Sequence, residues 1–166
     1  MIFCCSDSIY LLIKLADVAI TSLPTSCRRV RILTARLSEI DKKDGFDFEK
    51  RMFFHFQKVG WDVKITPRSG DHGADIVGRE PSGVCVVIQA ERWNYKVGAS
   101  SVEEVIRARE YYGAKRMIVI TNNYLTPKAK RIAESACVKF WERNRLIDEL
   151  AIVNKQRSRE LTPMHS

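Results

Sequence analysis

The stretch Gly70–Trp93, GDHGADIVGREPSGVCVVIQAERW, constrains the fold of this chain more than any other. It reads as two short apolar strands, Ala74–Val77 and Val84–Glu91, joined by a turn, EPSG, at 80–83. Asp75 falls on the first strand, and Gln89 and Glu91 on the second. Side chains on a strand alternate between faces, so Val87, Gln89 and Glu91 share one face while Val86, Ile88 and Ala90 share the other. Oxygen-bearing side chains amid buried strand are unfavourable unless they are paired or bind an ion. Adjacent strands lie about 4.8 Å apart, so Asp75, Gln89 and Glu91 are within reach of one cation. Such donors suit Mg2+ or Mn2+. The competing reading is a solvated strand end, and strand logic alone does not separate the two.

The flanking sequence supplies the rest of an α/β domain. Phe48, Met52, Phe56 and Val59 recur at helical spacing, which predicts a helix over 46–59 that Gly60 ends. Trp61, Val63 and Ile65 alternate with polar residues, as a half-buried strand does. Ser101 with Glu104 reads as a capping box for a helix running to Tyr112, which Gly113 stops. MIVIT at 117–121 is a buried strand, and Thr126-Pro127 opens another helix as cap and first residue. Cys137–Trp141 is a fifth strand and Asn144–Val153 a last helix. The order α-β-β-β-α-β-α-β-α gives a mixed central β-sheet flanked by helices.

Residues 1–27 form a leader, 28–45 a basic helix and linker, 46–150 the compact domain and 151–166 a polar tail. Ile9–Ile20 is apolar, but its 12 residues carry Lys14 and Asp17 and fall short of the ~20 that span a bilayer. It lacks the basic start and small-residue cleavage site of a secretory signal, so membrane association is not expected. Five cysteines without a CxxC pair, and three scattered histidines, argue against a zinc site. Cys85 and Cys137 sit in apolar runs and read as small core residues in a reducing, cytoplasmic setting. The 166 residues carry a formal net charge of +8, which favours a polyanionic partner or simply serves solubility.

Several segments together resemble the catalytic domain of Mrr-type restriction endonucleases, within the PD-(D/E)xK nuclease superfamily. They are DGFDFEK (44–50), GWDVKIT (60–66), SGDHGADIV (69–77), VVIQAERW (86–93), YYGAKRMIVITNNYLT (111–126) and FWERNRLIDEL (140–150). They occur in the family's order and cover about residues 40–150. The resemblance implies a restriction-endonuclease-like fold, a Mg2+ (or Mn2+) ion and hydrolysis of DNA phosphodiesters. It places Asp75 as the metal-binding aspartate and Gln89 as the first residue of the (D/E/Q)xK triplet. It also places Glu49 as the acidic residue that the first helix presents toward the metal. The third triplet position departs: Glu91 stands where the family has lysine. A glutamate cannot supply positive charge, but it can ligate a metal or act as a general base. With Glu49, Asp75 and Glu91 together, three carboxylates would surround the ion.

DNA is the implied partner, with no small-molecule cofactor, and a homodimer is the arrangement that would cut both strands. Arg92, Trp93, Lys96 and Asn122 are the candidates for nucleic-acid contact; Trp93 also suits a core and Asn122 a strand end facing a ligand. Asp71 and His72 shape either the site entrance or a turn. Two alternatives stand beside the metal-dependent endonuclease. One is a nuclease-fold module that binds nucleic acid without cutting, because the lysine is gone. The other is an interaction domain whose basic charge serves solubility.

Overall fold

In the computed structural model the described residues are 41, 44–67 and 72–160, with side chains described as far as Ala151. All belong to one compact unit, which runs from Leu37 to Ser166. The apolar Ile9–Ile20 segment, Cys4, Cys5, Cys27, the helix expected over 28–44 (apart from Asp41 and Asp44) and Asp71 lie outside the described residues.

Helix α1 spans Gly45–Lys58. Asp44 starts it, its carboxylate accepting a hydrogen bond from the Asp47 amide at 2.8 Å. Phe48, Met52 and Phe56 form its fully buried stripe. At Gly60 the chain turns through positive φ, and the Trp61 amide closes the helix end on the Phe56 carbonyl at 3.0 Å. Strands β1 (Asp62–Ile65), β2 (Ile76–Arg79) and β3 (Cys85–Glu91) follow as an antiparallel meander. Gly78 makes the β1–β2 crossing possible, because a Cβ there would stand 2.1 Å from the Asp62 carbonyl oxygen. Helix α2 (Ala99–Tyr112) leads to β4 (Arg116–Thr121), helix α3 (Pro127–Ser135) to β5 (Lys139–Trp141), and helix α4 covers Arg143–Glu160. The sheet order is β1-β2-β3-β4-β5, with β3, β4 and β5 parallel.

Strand β3 is the centre of the sheet and separates two cores. Val86, Ile88 and Ala90 pack with Phe48, Met52 and Phe56 of α1, with Trp141 and with Leu146 of α4. Val87 packs with Val119 and with Val102, Val105 and Ala108 of α2. Burying each large apolar side chain contributes roughly 1.5–3 kcal/mol, so burial on both faces fixes the register of β3. Gln89 and Glu91 therefore belong to the α2 face, aligned with Val119 and Thr121 of β4.

Four expectations are corrected. The strand expected over 74–77 begins at Ile76 and extends to Arg79, so Asp75 stands at its entrance rather than within it. Ser101 is not a helix cap: α2 starts at Ala99 behind Gly98, and the Ser101 hydroxyl goes elsewhere. Cys137 is exposed, because it takes the left-handed conformation, φ 56°, that turns the chain out of α3, and Cys85 is only half-buried at the first position of β3. The last helix runs beyond Val153 to Glu160, into the expected polar tail.

Candidate active site

Asp75 is fixed from several sides. Its amide donates to the Ile88 carbonyl at 3.0 Å, and its own carbonyl accepts from the Thr66 amide at 2.9 Å. Ile76 is the residue paired with Ile88, so Asp75 and Ile76 both fall opposite one residue, as at a β-bulge. Bulges break the strand alternation and re-aim a side chain. Here the Asp75 carboxylate reaches back to the neighbouring strand, where one oxygen accepts from the Ala90 amide at 2.7 Å. That amide lies between Gln89 and Glu91, so Asp75 is brought to the triplet segment.

The loop before Asp75 has little freedom. Gly73 has φ 87°, and a Cβ there would stand 2.5 Å from the Glu104 carbonyl oxygen, so the loop lies directly on the α2 backbone. The Thr66 hydroxyl donates to the Ala74 carbonyl at 2.5 Å. His72, also at positive φ, stacks on Tyr111 of α2 with ring centroids 3.6 Å apart.

Gln89 is buried, at 8% exposure, and its side-chain carbonyl oxygen has no hydrogen-bond partner among the described residues. An unsatisfied buried acceptor costs about 1–3 kcal/mol. An oxygen left bare next to a segment that holds a carboxylate is the arrangement a hard cation would complete. The donor chemistry of Gln89 and Asp75, one neutral and one anionic oxygen, fits Mg2+ or Mn2+, which keep several waters beside one or two protein carboxylates.

Glu91 is used differently. One carboxylate oxygen accepts from the Ser101 hydroxyl and the other from the Trp93 indole N–H, both at 2.7 Å. Its anionic head thus lies in the first turn of α2, where the helix dipole favours negative charge. Glu49 sits on the second turn of α1, partly buried and engaged with its surroundings. Among the described residues no three His, Cys, Asp or Glu side chains stand together to hold a metal ion. The expected triad of carboxylates, Glu49 with Asp75 and Glu91, is therefore not assembled, because Glu91 is turned to Ser101 and Trp93.

The four candidates for nucleic-acid contact divide. Asn122 is 2% exposed, and its amide is used on both sides: it accepts from the Trp93 amide and donates to Asp41, each at 2.8 Å. Arg92 donates to the Asp41 carbonyl. Asn122 is thus a buried brace, and Arg92, half-buried, is engaged with the same Asp41. Arg143 completes the brace with two bonds to the Asp41 carboxylate and one to the Asn122 carbonyl, at 2.8–3.1 Å. The Arg143 guanidinium holds the Asp41 carboxyl below its ordinary range, and Asp41 in turn raises Arg143. Trp93 and Lys96 are exposed, beside Tyr95. Ser101, Asp41 and Arg143 were not expected as parts of this region; Ser101 lies in a helix start that its sequence explains equally well by capping.

Residues 40–150 match the Mrr_cat family, restriction endonuclease, and the chain belongs to that family. Among solved structures it is similar to the DNA modification-dependent restriction endonuclease AspBHI, with TM-score 0.58 and 18% identity over 80% of this chain and 37% of that one. It is also similar to the MspJI restriction endonuclease, solved in complex with a 27-mer oligonucleotide, with TM-score 0.52 and 18% identity over 78% of this chain and 32% of that one. The chain thus spans about a third of each of these two, and the likeness establishes a restriction-endonuclease-like fold. No curated protein matches it. No helix among the described residues is long and apolar enough to cross a membrane.

Proposed function

We propose that this chain is a divalent-metal-dependent deoxyribonuclease that hydrolyses DNA phosphodiester bonds in a restriction-like role. One observation carries the reading: the bare, buried Gln89 oxygen beside the segment that anchors Asp75. Asp75 and Gln89 are the residues that would hold Mg2+ or Mn2+. When bound, the ion acidifies a coordinated water and offsets charge on the phosphate. The Ala90 amide orients the Asp75 carboxylate, and the bulge and the packed Gly73 keep it in place. Glu49 is a further candidate ligand from α1. Glu91, fastened by Ser101 and Trp93, positions the strand end and the aromatic residue beside it. Lys96 and Trp93 are the exposed groups that would meet DNA, aided by the net charge of +8. The nuclease unit is built on residues 46–150 together with Asp41 and the helix that runs on to Glu160, and two copies would serve cleavage of both strands in the cytoplasm.

The hydrogen bonds on Glu91 favour a second reading, a nuclease fold that holds DNA without cutting it, since neither the family's lysine nor an uncommitted carboxylate stands at position 91. Supercoiled plasmid incubated with Mg2+ or Mn2+ separates the two. Metal-dependent nicking that disappears in Asp75→Ala supports the enzyme. DNA binding without any nicking supports the module.

A further inference from the structure

Beside the candidate active site is a cavity of about 280 Å3 lined by Glu91, Trp93, Tyr95, Lys96, Ser101 and Glu104, among others. Its aromatic wall is unusual for a surface. Trp93 is 40% exposed and Tyr95 65%, and their rings lie 5.0 Å apart at 37°. Although exposed, Trp93 is held at three points. Its indole N–H donates to Glu91 at 2.7 Å, its amide donates to Asn122 at 2.8 Å, and its carbonyl accepts from the Asn123 amide nitrogen at 3.4 Å. The brace of Asp41, Asn122 and Arg143 stands behind it. A large flat face is thus kept rigid and open to solvent at the rim of a cavity that reaches Glu91, two residues from Gln89.

We infer that this cavity receives one unstacked base of a DNA strand, seated against Trp93 and Tyr95. The inference deepens the nuclease reading and rests on it. Every base offers a π-face, so an aromatic platform binds bases with little regard to sequence. The volume sits just below the lower end of ordinary ligand sites, roughly 300 Å3, which suits one ring system and not an extended ligand. The polar lining agrees with a base edge rather than a phosphate. The carboxylates of Glu91 and Glu104 on the wall repel a phosphate and leave the neutral base as the better occupant. Lys96 on the same wall supplies the positive charge that the flanking backbone requires. The preferred substrate is then DNA with a displaced or unpaired nucleotide, since a paired base must first be unstacked.

The test measures binding of the full chain in Ca2+, which takes the same kind of oxygen ligands. The probes are a fluorescein-labelled duplex with one unpaired nucleotide and the same duplex fully paired. The wild type is expected to favour the first by roughly fivefold to 140-fold, the worth of about one stacked base. Trp93→Ala and Tyr95→Ala should each bring that ratio close to one, while Phe54→Ala, an exposed aromatic on α1, should leave it unchanged. If Trp93→Ala does not fold, the more exposed Tyr95→Ala carries the test. A wild-type ratio of one, or a preference that survives both substitutions, overturns the base site and leaves the nuclease reading standing. No affinity for either duplex overturns both.

Discussion

Replacing Gln89 by methionine should make the protein more stable and weaken its response to added Mg2+. The side-chain oxygen of Gln89 is buried without a partner, and methionine removes that acceptor while keeping an unbranched chain of similar length. Relief of an unsatisfied buried acceptor is worth about 1–3 kcal/mol. Imperfect packing of the thioether takes back part of this, leaving a gain of about 1–2 kcal/mol. For a chain of this size each kcal/mol moves the melting temperature by about 2–4 °C, so Gln89→Met should melt roughly 2–8 °C higher in EDTA. The response to metal should invert the order. A ligand at a hundred times its dissociation constant stabilises the native state by about 2.7 kcal/mol. Mg2+ should therefore raise the wild-type melting temperature and move that of Gln89→Met much less. Differential scanning fluorimetry with and without Mg2+ reads both effects. A variant that melts lower in EDTA, or that responds to Mg2+ as the wild type does, refutes the assignment of that oxygen as a ligand in waiting.

His55 is buried against Phe56 and Trp141, and burial, with a smaller contribution from Lys58, pushes its imidazole down to about 4. Its folded value lies below its unfolded one, so the associated stability is complete above about pH 6.5 and is lost as pH falls toward 4, to the extent of ~3 kcal/mol; urea melts across that range should show the loss, and His55→Leu should flatten it. Gly73→Ala forces a Cβ against the Glu104 carbonyl at a positive φ, so it should destabilise by about 2–4 kcal/mol in chemical denaturation and weaken any activity that depends on Asp75. Arg143→Ala removes the bidentate partner of Asp41 and should cost about 1–2 kcal/mol, with increased mobility of Trp93 visible as a fall in its fluorescence anisotropy. Glu91→Lys should raise plasmid nicking by an order of magnitude or more if position 91 limits cleavage, and leave it unchanged if it does not.

The parts of this molecule legible in the sequence were those governed by local chemistry. The Phe48–Met52–Phe56 stripe, the stop at Gly113 and the Thr126-Pro127 start each express a preference of a few adjacent residues, and each stands as expected. Alternation along Val86–Glu91 correctly put Gln89 and Glu91 on one face. What escaped were choices between equally good local partners. Ser101 is as able to cap a helix as to bind a carboxylate, and only the fold brings Glu91 to it. The irregularity that sets Asp75 at the mouth of β2 depends on the register of three strands. The Asp41–Arg143 pair joins residues 102 positions apart, a separation no local pattern reports. Asn122 and Arg92 read as candidates for nucleic-acid contact because Asp41, which engages both, lies so far away in the chain.

The most direct test of the account is to locate a bound ion. Crystals soaked in Mn2+ should show an anomalous peak at inner-sphere distance, roughly 2.1 Å, from the Asp75 carboxylate and the Gln89 side-chain oxygen, and the peak should vanish in Asp75→Ala. A strong peak elsewhere, or none at millimolar Mn2+ with both oxygens unchanged in position, contradicts the assignment of this strand end as a metal-dependent nuclease centre.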